Sequence, residues 1–285
     1  MTNLFGQVWT EGDIAHRQRR NWKNVVVGTS TELTALDITP TSRYAFASNV
    51  NDSVGANNLT AFGTPTYSTT NGVYGQYIIL NGSSQYAQAA TNTVFDITTN
   101  DFSCWGWFYR TSDSGNEEHI ISKYTSGGVG YKVYIDAGDN FDVTLGNGVT
   151  TATAFISGDT TTARWYFFAA SIDRDTNSVL GLFDSVTGNY QIQTATGIIS
   201  LSASSLTNTN TWTLGRASSG SSNFFTGRLD HINWLTGTAI TTTQIKQIMN
   251  DLHSGMLVFP TTTGGSFTAG LLAARNVENT GWANV

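Results

Sequence analysis

Phe225-Thr226-Gly227-Arg228-Leu229-Asp230-His231-Ile232-Asn233-Trp234 reads as a strand in which strict alternation fails once. Leu229 and Ile232 stand three apart, and a period of two would send them to opposite faces, so a bulge or twist is expected around Asp230. A turn and the segment Thr241 to Leu252 follow. Thr241 and Gln244 fit a capping box, and Ile245, Ile248, Met249 and Leu252 make one apolar stripe at i, i+3, i+4 and i+7, with Gly255 just beyond. That pattern predicts a short helix.

Working back from this stretch, every strong signal is extended. Phe102-Ser103-Cys104-Trp105-Gly106-Trp107-Phe108-Tyr109 is apolar or aromatic on both faces, with Phe102, Cys104, Gly106 and Phe108 on one and Trp105, Trp107 and Tyr109 on the other. Such a strand is central, with both faces covered or one forming a binding surface. Gln76 to Leu80 and the strand beginning at Gln85 flank Asn81-Gly82-Ser83-Ser84, which predicts a hairpin. Further strands are expected at 119–123, 130–135, 141–145, 165–172, 179–184 and 212–215, separated by Gly, Asn, Asp and Thr clusters. With no helical period between them, the chain reads as an antiparallel all-β sandwich.

Composition agrees and narrows the function classes. Charged residues are only 12% of 285, and their place is taken by Thr, Ser, Asn and Gly. A net charge of -6 argues against the basic surface that nucleic-acid binding needs, so nucleic acid is not an expected partner. The single Cys104 excludes an intrachain disulfide and a cysteine-cluster zinc site, and its aromatic strand suits a buried small apolar residue. No apolar run approaches the roughly 20 residues of a membrane span, so membrane insertion is not expected. Met1 to Val8 shows no basic region leading into an apolar one, so the chain is expected to carry no signal peptide.

Residues 1–40 differ in character. Thr10 can cap a helix through Lys23, carrying Arg17, Arg19, Arg20 and Lys23, the one basic concentration in the chain. Two readings stand for it: a docking surface for a partner, or a solvated helix face.

Taken together, several pieces resemble the laminin-G-like branch of the concanavalin A-like lectin and glucanase superfamily. In order they are Tyr44-Ala45-Phe46 with Asn51 to Gly55, Leu80 to Tyr86, Asp101 to Phe108, Ile120 to Lys123, Arg164 to Ala170, Thr213-Leu214-Gly215, Phe225 to Trp234 and the helix. One departure is Phe183-Asp184-Ser185, where the family often has an Asp-Gly turn. The resemblance implies a two-sheet antiparallel jelly-roll sandwich over residues 41–255, with one short C-terminal helix, an N-terminal arm of 1–40 and a C-terminal extension of 256–285. It also implies one structural calcium, with Asp52 and Asp230 at the matching positions. The other reading of Asp230 is an acceptor of turn or backbone hydrogen bonds.

Catalysis is not expected. The superfamily's glucanases use alternating acids to place two carboxyls roughly 5 to 5.5 Å apart, and none of Glu11, Glu32, Glu117, Glu118 and Glu278 begins such a motif. A strand would point Glu117 and Glu118 to opposite faces, and Asp173 with Asp175 looks like a turn. Sugar binding needs exposed rings, for which Trp105, Trp107, Tyr109, Tyr131 and Trp234 are the candidates, and core packing is the competing reading for each. The expectation is a non-enzymatic bacteriophage virion protein, made in the host cytoplasm and displayed on the particle surface. Its partners are other capsid or tail proteins, further copies of itself and a cell-surface glycan. The alternative is a free carbohydrate-binding lectin or glycosidase accessory module.

Overall fold

In the computed structural model, residues 38–73, 75–90, 93–158 and 160–250 are described, with the backbone of 260–263 and 266–269. The chain divides into two units, Ile38–Ile245 and a second made of Met1–Asp37 with Lys246–Val285. In the second, β16 (Pro260–Thr263) and β17 (Ser266–Ala269) pair as a hairpin. The expected helix carrying Arg17, Arg19, Arg20 and Lys23 lies outside the described residues.

The first unit is a sandwich of two antiparallel sheets. One sheet runs β13 (Tyr190–Ala195), β12 (Ser178–Asp184), β11 (Trp165–Ile172), β6 (Phe102–Arg110), β15 (Thr226–Thr236), β4 (Tyr77–Asn81) and β3 (Thr66–Ser68). The short β1 (Ser42–Tyr44) also pairs with β15. The second sheet runs β10 (Thr151–Ile156), β9 (Phe141–Asn147), β8 (Val129–Ile135), β7 (Glu118–Tyr124), β14 (Thr213–Leu214), β5 (Tyr86–Ala89) and β2 (Leu59–Phe62). The doubly apolar β6 is central as expected, between β11 and β15.

The bulge expected from Leu229 and Ile232 is present. Asp230 stands opposite Trp107 and Asn233 opposite Trp105, so His231 and Ile232 share the single residue Gly106. His231 takes a positive φ of 47°. A Cβ on Gly106 would sit 2.7 Å from Ile232 Cδ1 and 2.9 Å from the His231 carbonyl. The extra residue lets both Leu229 and Ile232 enter the interior. It also divides the free side of β15, whose first half pairs β4 and whose second half pairs β1.

The predicted hairpin around Asn81-Gly82 is corrected to a corner. β4 belongs to one sheet and β5 to the other, so the turn carries the chain across the sandwich. Asn81 Oδ1 accepts the N–H groups of Ser83, Ser84 and Gln85 at 3.0–3.1 Å, which tightens the turn without requiring its flanks to pair. At Phe183-Asp184-Ser185 the hairpin closes without glycine beside Asp184, whose Oδ1 accepts from Val186 and Thr187. β10 and β13, which no sequence signal marked, are edge strands rich in Thr, Ala and Gln.

The interior is built on stacked rings. Phe95 stacks on Trp212 at 4.5 Å, Tyr131 on Trp234 at 5.1 Å and Phe102 on Trp234 at 4.9 Å. On the outer side of the first sheet the capping box forms as expected: Gln244 N–H donates to Thr241 Oγ1 and Thr241 N–H to Gln244 Oε1. Helix α1 (Thr242–Asn250) follows it. Ile245 packs where Gly181 leaves room, its Cγ2 3.0 Å from the point a Cβ there would occupy.

Candidate functional site

The acids expected to hold calcium are already engaged. Asp52 Oδ1 accepts the N–H groups of Arg43, Val54 and Gly55 at 2.9–3.0 Å, and Oδ2 accepts that of Asn57 at 3.2 Å. Burial pushes this carboxyl up, but the N–H groups of Arg43, Gly55 and Val54 outweigh it and hold the pKa below the ordinary value. Asp230 is fully buried; Oδ2 accepts the Val73 N–H at 3.1 Å and Oδ1 lies 2.8 Å from His231 Nδ1. Calcium needs six to eight oxygen ligands, and among the described residues no three His, Cys, Asp or Glu side chains gather to hold a metal. In the fold these two acids tie loops to β1 and β15.

The aromatic candidates are also redistributed. Tyr131 and Trp234 are fully buried in the interior, where Tyr131 donates to the Phe95 carbonyl and Trp234 Nε1 to Thr236 Oγ1. They offer no face to a sugar. Trp105 and Trp107 lie on the outer side of the first sheet but are buried, Trp107 edge-on to Phe167 and Phe183. Only Tyr109 is half-exposed, and the Arg228 guanidinium lies 4.4 Å over its ring.

Carboxylates near one another serve a buried cation. Arg110, without exposed surface, bonds Glu118 at 2.9 Å, Asp113 at 2.9 Å, Asp139 and the Thr160 carbonyl. Burial raises the Glu118 pKa despite Arg110. Glu117 points elsewhere, toward Lys132 and His119. Asp173 Oδ1 caps the N–H groups of Asp175 and Thr176, the turn expected there.

The arrangement that does collect chemistry is the outer face of the second sheet. Register places His119 opposite Tyr134, Tyr134 opposite Asp142 and Asp142 opposite Phe155, one row across β7 to β10. The next row holds Ser122, Lys132, Thr144 and Thr153. These residues share a face because Val133, Val143 and Ala154, one position on, fill the interior.

Within the rows, Glu117 is an anchor. Its carboxylate accepts from Lys132 at 2.7 Å, His119 Nε2 at 2.9 Å and Asn223 at 3.1 Å. The His119 contact and then Lys132 pull its pKa down to about 2. Burial lowers the His119 pKa; because the Glu117 carboxylate can only accept, Nε2–H is the donor to it, and Nδ1 has no hydrogen-bond partner. Lys132 covers the Tyr134 ring at 4.0 Å, and Tyr134 Oη, Thr144 Oγ1 and Thr153 Oγ1 form a hydroxyl chain.

Asp142 is different. It is 6% exposed, its Oδ1 has no hydrogen-bond partner, and burial, followed by the charge of Asp136, raises its pKa to about 6. Two buried acceptors thus lie in one row with Phe155, whose ring is 52% exposed. On β10, Thr151, Thr153 and Phe155 are the members of this face open to solvent. Sequence reasoning passed over these residues; the visible signal was Lys132 with Tyr134 and Asp142 with Thr144, each pair two apart in an apolar strand.

The profile of the Concanavalin A-like lectin/glucanases superfamily matches residues 81–246. No curated protein matches by sequence. Among solved structures, the binding domain of botulinum neurotoxin serotype G superposes with a TM-score of 0.56 at 14% identity, over 74% of this chain and 50% of that one. The binding domain of botulinum neurotoxin DC, solved with rat synaptotagmin II, gives 0.55 at 13% identity, over 73% and 50%. Domain 4 of AbnA, a GH43 extracellular arabinanase from Geobacillus stearothermophilus solved with arabinotriose, gives 0.51 at 17% identity, over 74% and 98%. The chain spans about half the length of the toxin binding domains. At these identities the likeness is one of fold.

Proposed function

Because the chain belongs to the concanavalin A-like lectin/glucanase superfamily, we propose that it is a non-enzymatic recognition module whose outer face on β7 to β10 binds a neutral glycan. The observation that carries this reading is the exposed strip Thr151, Thr153 and Phe155 on β10, where Thr153 ends the hydroxyl chain that runs from Tyr134 through Thr144. A sugar brings hydroxyls to the exposed Thr151 and Thr153 and a C–H face to the Phe155 ring. An arabinanase domain of this fold was solved with arabinotriose, which supports a saccharide as the ligand. Catalysis is disfavoured by Glu117, whose carboxylate is occupied by Lys132, His119 and Asn223 and is not placed to attack.

The test is a glycan array with the chain displayed multivalently, followed by titration of any ligand found. Phe155→Ala and Thr153→Ala are each expected to weaken binding about tenfold, the first by removing the stacking ring and the second by removing a hydroxyl. No binding on the array, or binding that both variants retain in full, would sink the reading. Release of new reducing ends from a bound polysaccharide would show an enzyme.

The same proposal places the module on a virion surface, with 1–40 and 256–285 as arms holding it to neighbours. Support comes from the polar, weakly charged composition and from the grouping of the flanking segments apart from the sandwich. Deleting residues 1–40 is expected to abolish incorporation into particles while sparing the melting of the sandwich; unchanged incorporation would leave the alternative, a free lectin or accessory module.

A further inference from the structure

The turn between β12 and β13 closes beside a cavity. Asp184 Oδ1 accepts the N–H groups of Val186 and Thr187, and the Asp184 N–H donates to the Asn189 carbonyl, so the turn is held from both ends. β11 pairs β12 with Tyr166 opposite Asp184, and β12 pairs β13 with Leu182 opposite Gln191. Those registers bring Arg164, Asp184, Asn189 and Gln191 together around a cavity of about 160 Å³, which the buried Tyr166 and Leu182 also line. An engineered cavity of about 150 Å³ admits benzene, so this one has room for a body of that size.

Its charged groups stand side by side and are open to solvent. Arg164 Nη1 donates to Asp184 Oδ2 at 2.8 Å, and the two side chains are 28% and 12% exposed. Arg110 and Arg174, by contrast, have no exposed surface, and carboxylates or carbonyls of the fold take their N–H groups. A guanidinium carries five N–H donors and Asp184 takes one, so most of the Arg164 fork is left to a ligand. Burial pushes the Asp184 carboxyl up, but the Arg164 hydrogen bond and the Val186 and Thr187 N–H groups outweigh it and hold its pKa below the ordinary value. At neutral pH the cavity therefore presents one fixed positive and one fixed negative charge, beside the amides of Asn189 and Gln191 and the apolar Leu182.

That pair of charges selects the ligand. A simple anion bound to Arg164 would meet the Asp184 carboxylate, and a simple cation bound to Asp184 would meet the guanidinium. A neutral polyol would use neither charge. A molecule carrying both charges close together meets an opposite charge at each end. We propose that this cavity binds a small zwitterion, a free α-amino acid, with its carboxylate on the Arg164 fork, its ammonium at Asp184 and its side chain against Leu182. An internal peptide residue has neither charge and a terminal one has only one of them, so the occupant is a free amino acid. The volume suits a side chain as small as that of alanine or valine. The site shares no residue with the strip on β10 and does not depend on the glycan reading.

Titration of the isotope-labelled full chain with L-alanine, followed by NMR through the backbone amides of Thr187, Asn189 and Gln191, tests this. Saturable shifts are expected with L-alanine. Binding should be about tenfold weaker with propanoate, which lacks the ammonium, and with ethylamine, which lacks the carboxylate. Arg164→Gln is expected to lose about tenfold in affinity, and Arg164→Lys nearly as much, because an ammonium keeps the charge but not the fork. Gln191→Ala leaves the ion pair in place and should weaken binding about threefold, so the result does not hang on an Arg164 variant that fails to fold. No saturable shift with L-alanine, propanoate or ethylamine bound as tightly as L-alanine, or full affinity in Arg164→Gln and Gln191→Ala would each overturn the proposal. Saturable shifts at these amides with glucose and none with L-alanine would make the cavity a sugar site and overturn it equally.

Discussion

Asp142→Asn should make the protein more stable at neutral pH. The Asp142 carboxyl ordinarily titrates near 3.8, and in the folded chain its pKa is raised to about 6. At 1.36 kcal/mol per unit, keeping it ionised at pH 7 costs about 3 kcal/mol relative to the unfolded chain. The folded state holds its proton up to about pH 6 and the unfolded state releases it near 4. Folded molecules therefore bind more protons in that window, and this group's contribution to stability falls as pH rises from 4 to 6. Asparagine removes the charge but brings an amide N–H that lacks an assured partner, a loss of about 1 kcal/mol. The net gain at pH 7 is about 1–2 kcal/mol. Urea unfolding of wild type and variant at pH 4, 5, 6 and 7 isolates the effect as a difference, because the other titrating groups are common to both. The difference should be absent or reversed at pH 4 and favour the variant at pH 7. A variant less stable than wild type at pH 7, or a difference flat in pH, would refute the assignment of a buried charge whose partners do not offset its desolvation.

Arg110→Met leaves Glu118 buried without its cation and should cost about 3–5 kcal/mol in chemical denaturation at pH 7. The deficit should shrink toward pH 4, where Glu118 takes up a proton. Gly106→Ala presses a methyl against Ile232 and the His231 carbonyl and should cost about 1–3 kcal/mol, read as a lower unfolding midpoint. Chelation with EDTA should leave the melting temperature unchanged, since the oxygens of Asp52 are occupied by N–H donors; a drop on chelation, reversed by calcium, would contradict that reading.

What the sequence made legible was whatever depends on a local period. The doubly apolar β6, the capped helix and the bulge at Asp230 all follow from which residues sit two, three or four apart. The Asn81-Gly82 turn was misread because a corner and a hairpin share the same turn chemistry and differ only in which strands the flanks join. The aromatic candidates failed for a related reason. Tyr131 and Trp234 lie on strands with an outer face, but alternation alone does not say which face is interior when both carry rings. The candidate site was not legible at all, since the row from His119 to Phe155 depends on three registers between strands, and no single strand carries more than two of its polar groups.

The acids of the sandwich separate by what their oxygens touch. Asp52 receives four N–H groups, Asp230 ties Val73 to β15, and Glu118 accepts from Arg110 and the Ser114 N–H. Each is satisfied by the fold, and burial of such a group helps to specify where a loop or strand sits. Asp96 Oδ1 lacks a hydrogen bond in good geometry, but the Lys123 ammonium stands 3.1 Å away and offsets its charge. Asp142 Oδ1 has no hydrogen-bond partner, and burial with the charge of Asp136 outweighs the Tyr134 hydroxyl and the Lys132 ammonium, which pull the pKa the other way. A fold gains nothing by keeping such a carboxylate, since asparagine would fit the same space at lower cost. Asp230 ties the Val73 N–H to β15 in the first sheet, whereas Asp142, in the second, is the acid whose charge the fold offsets least.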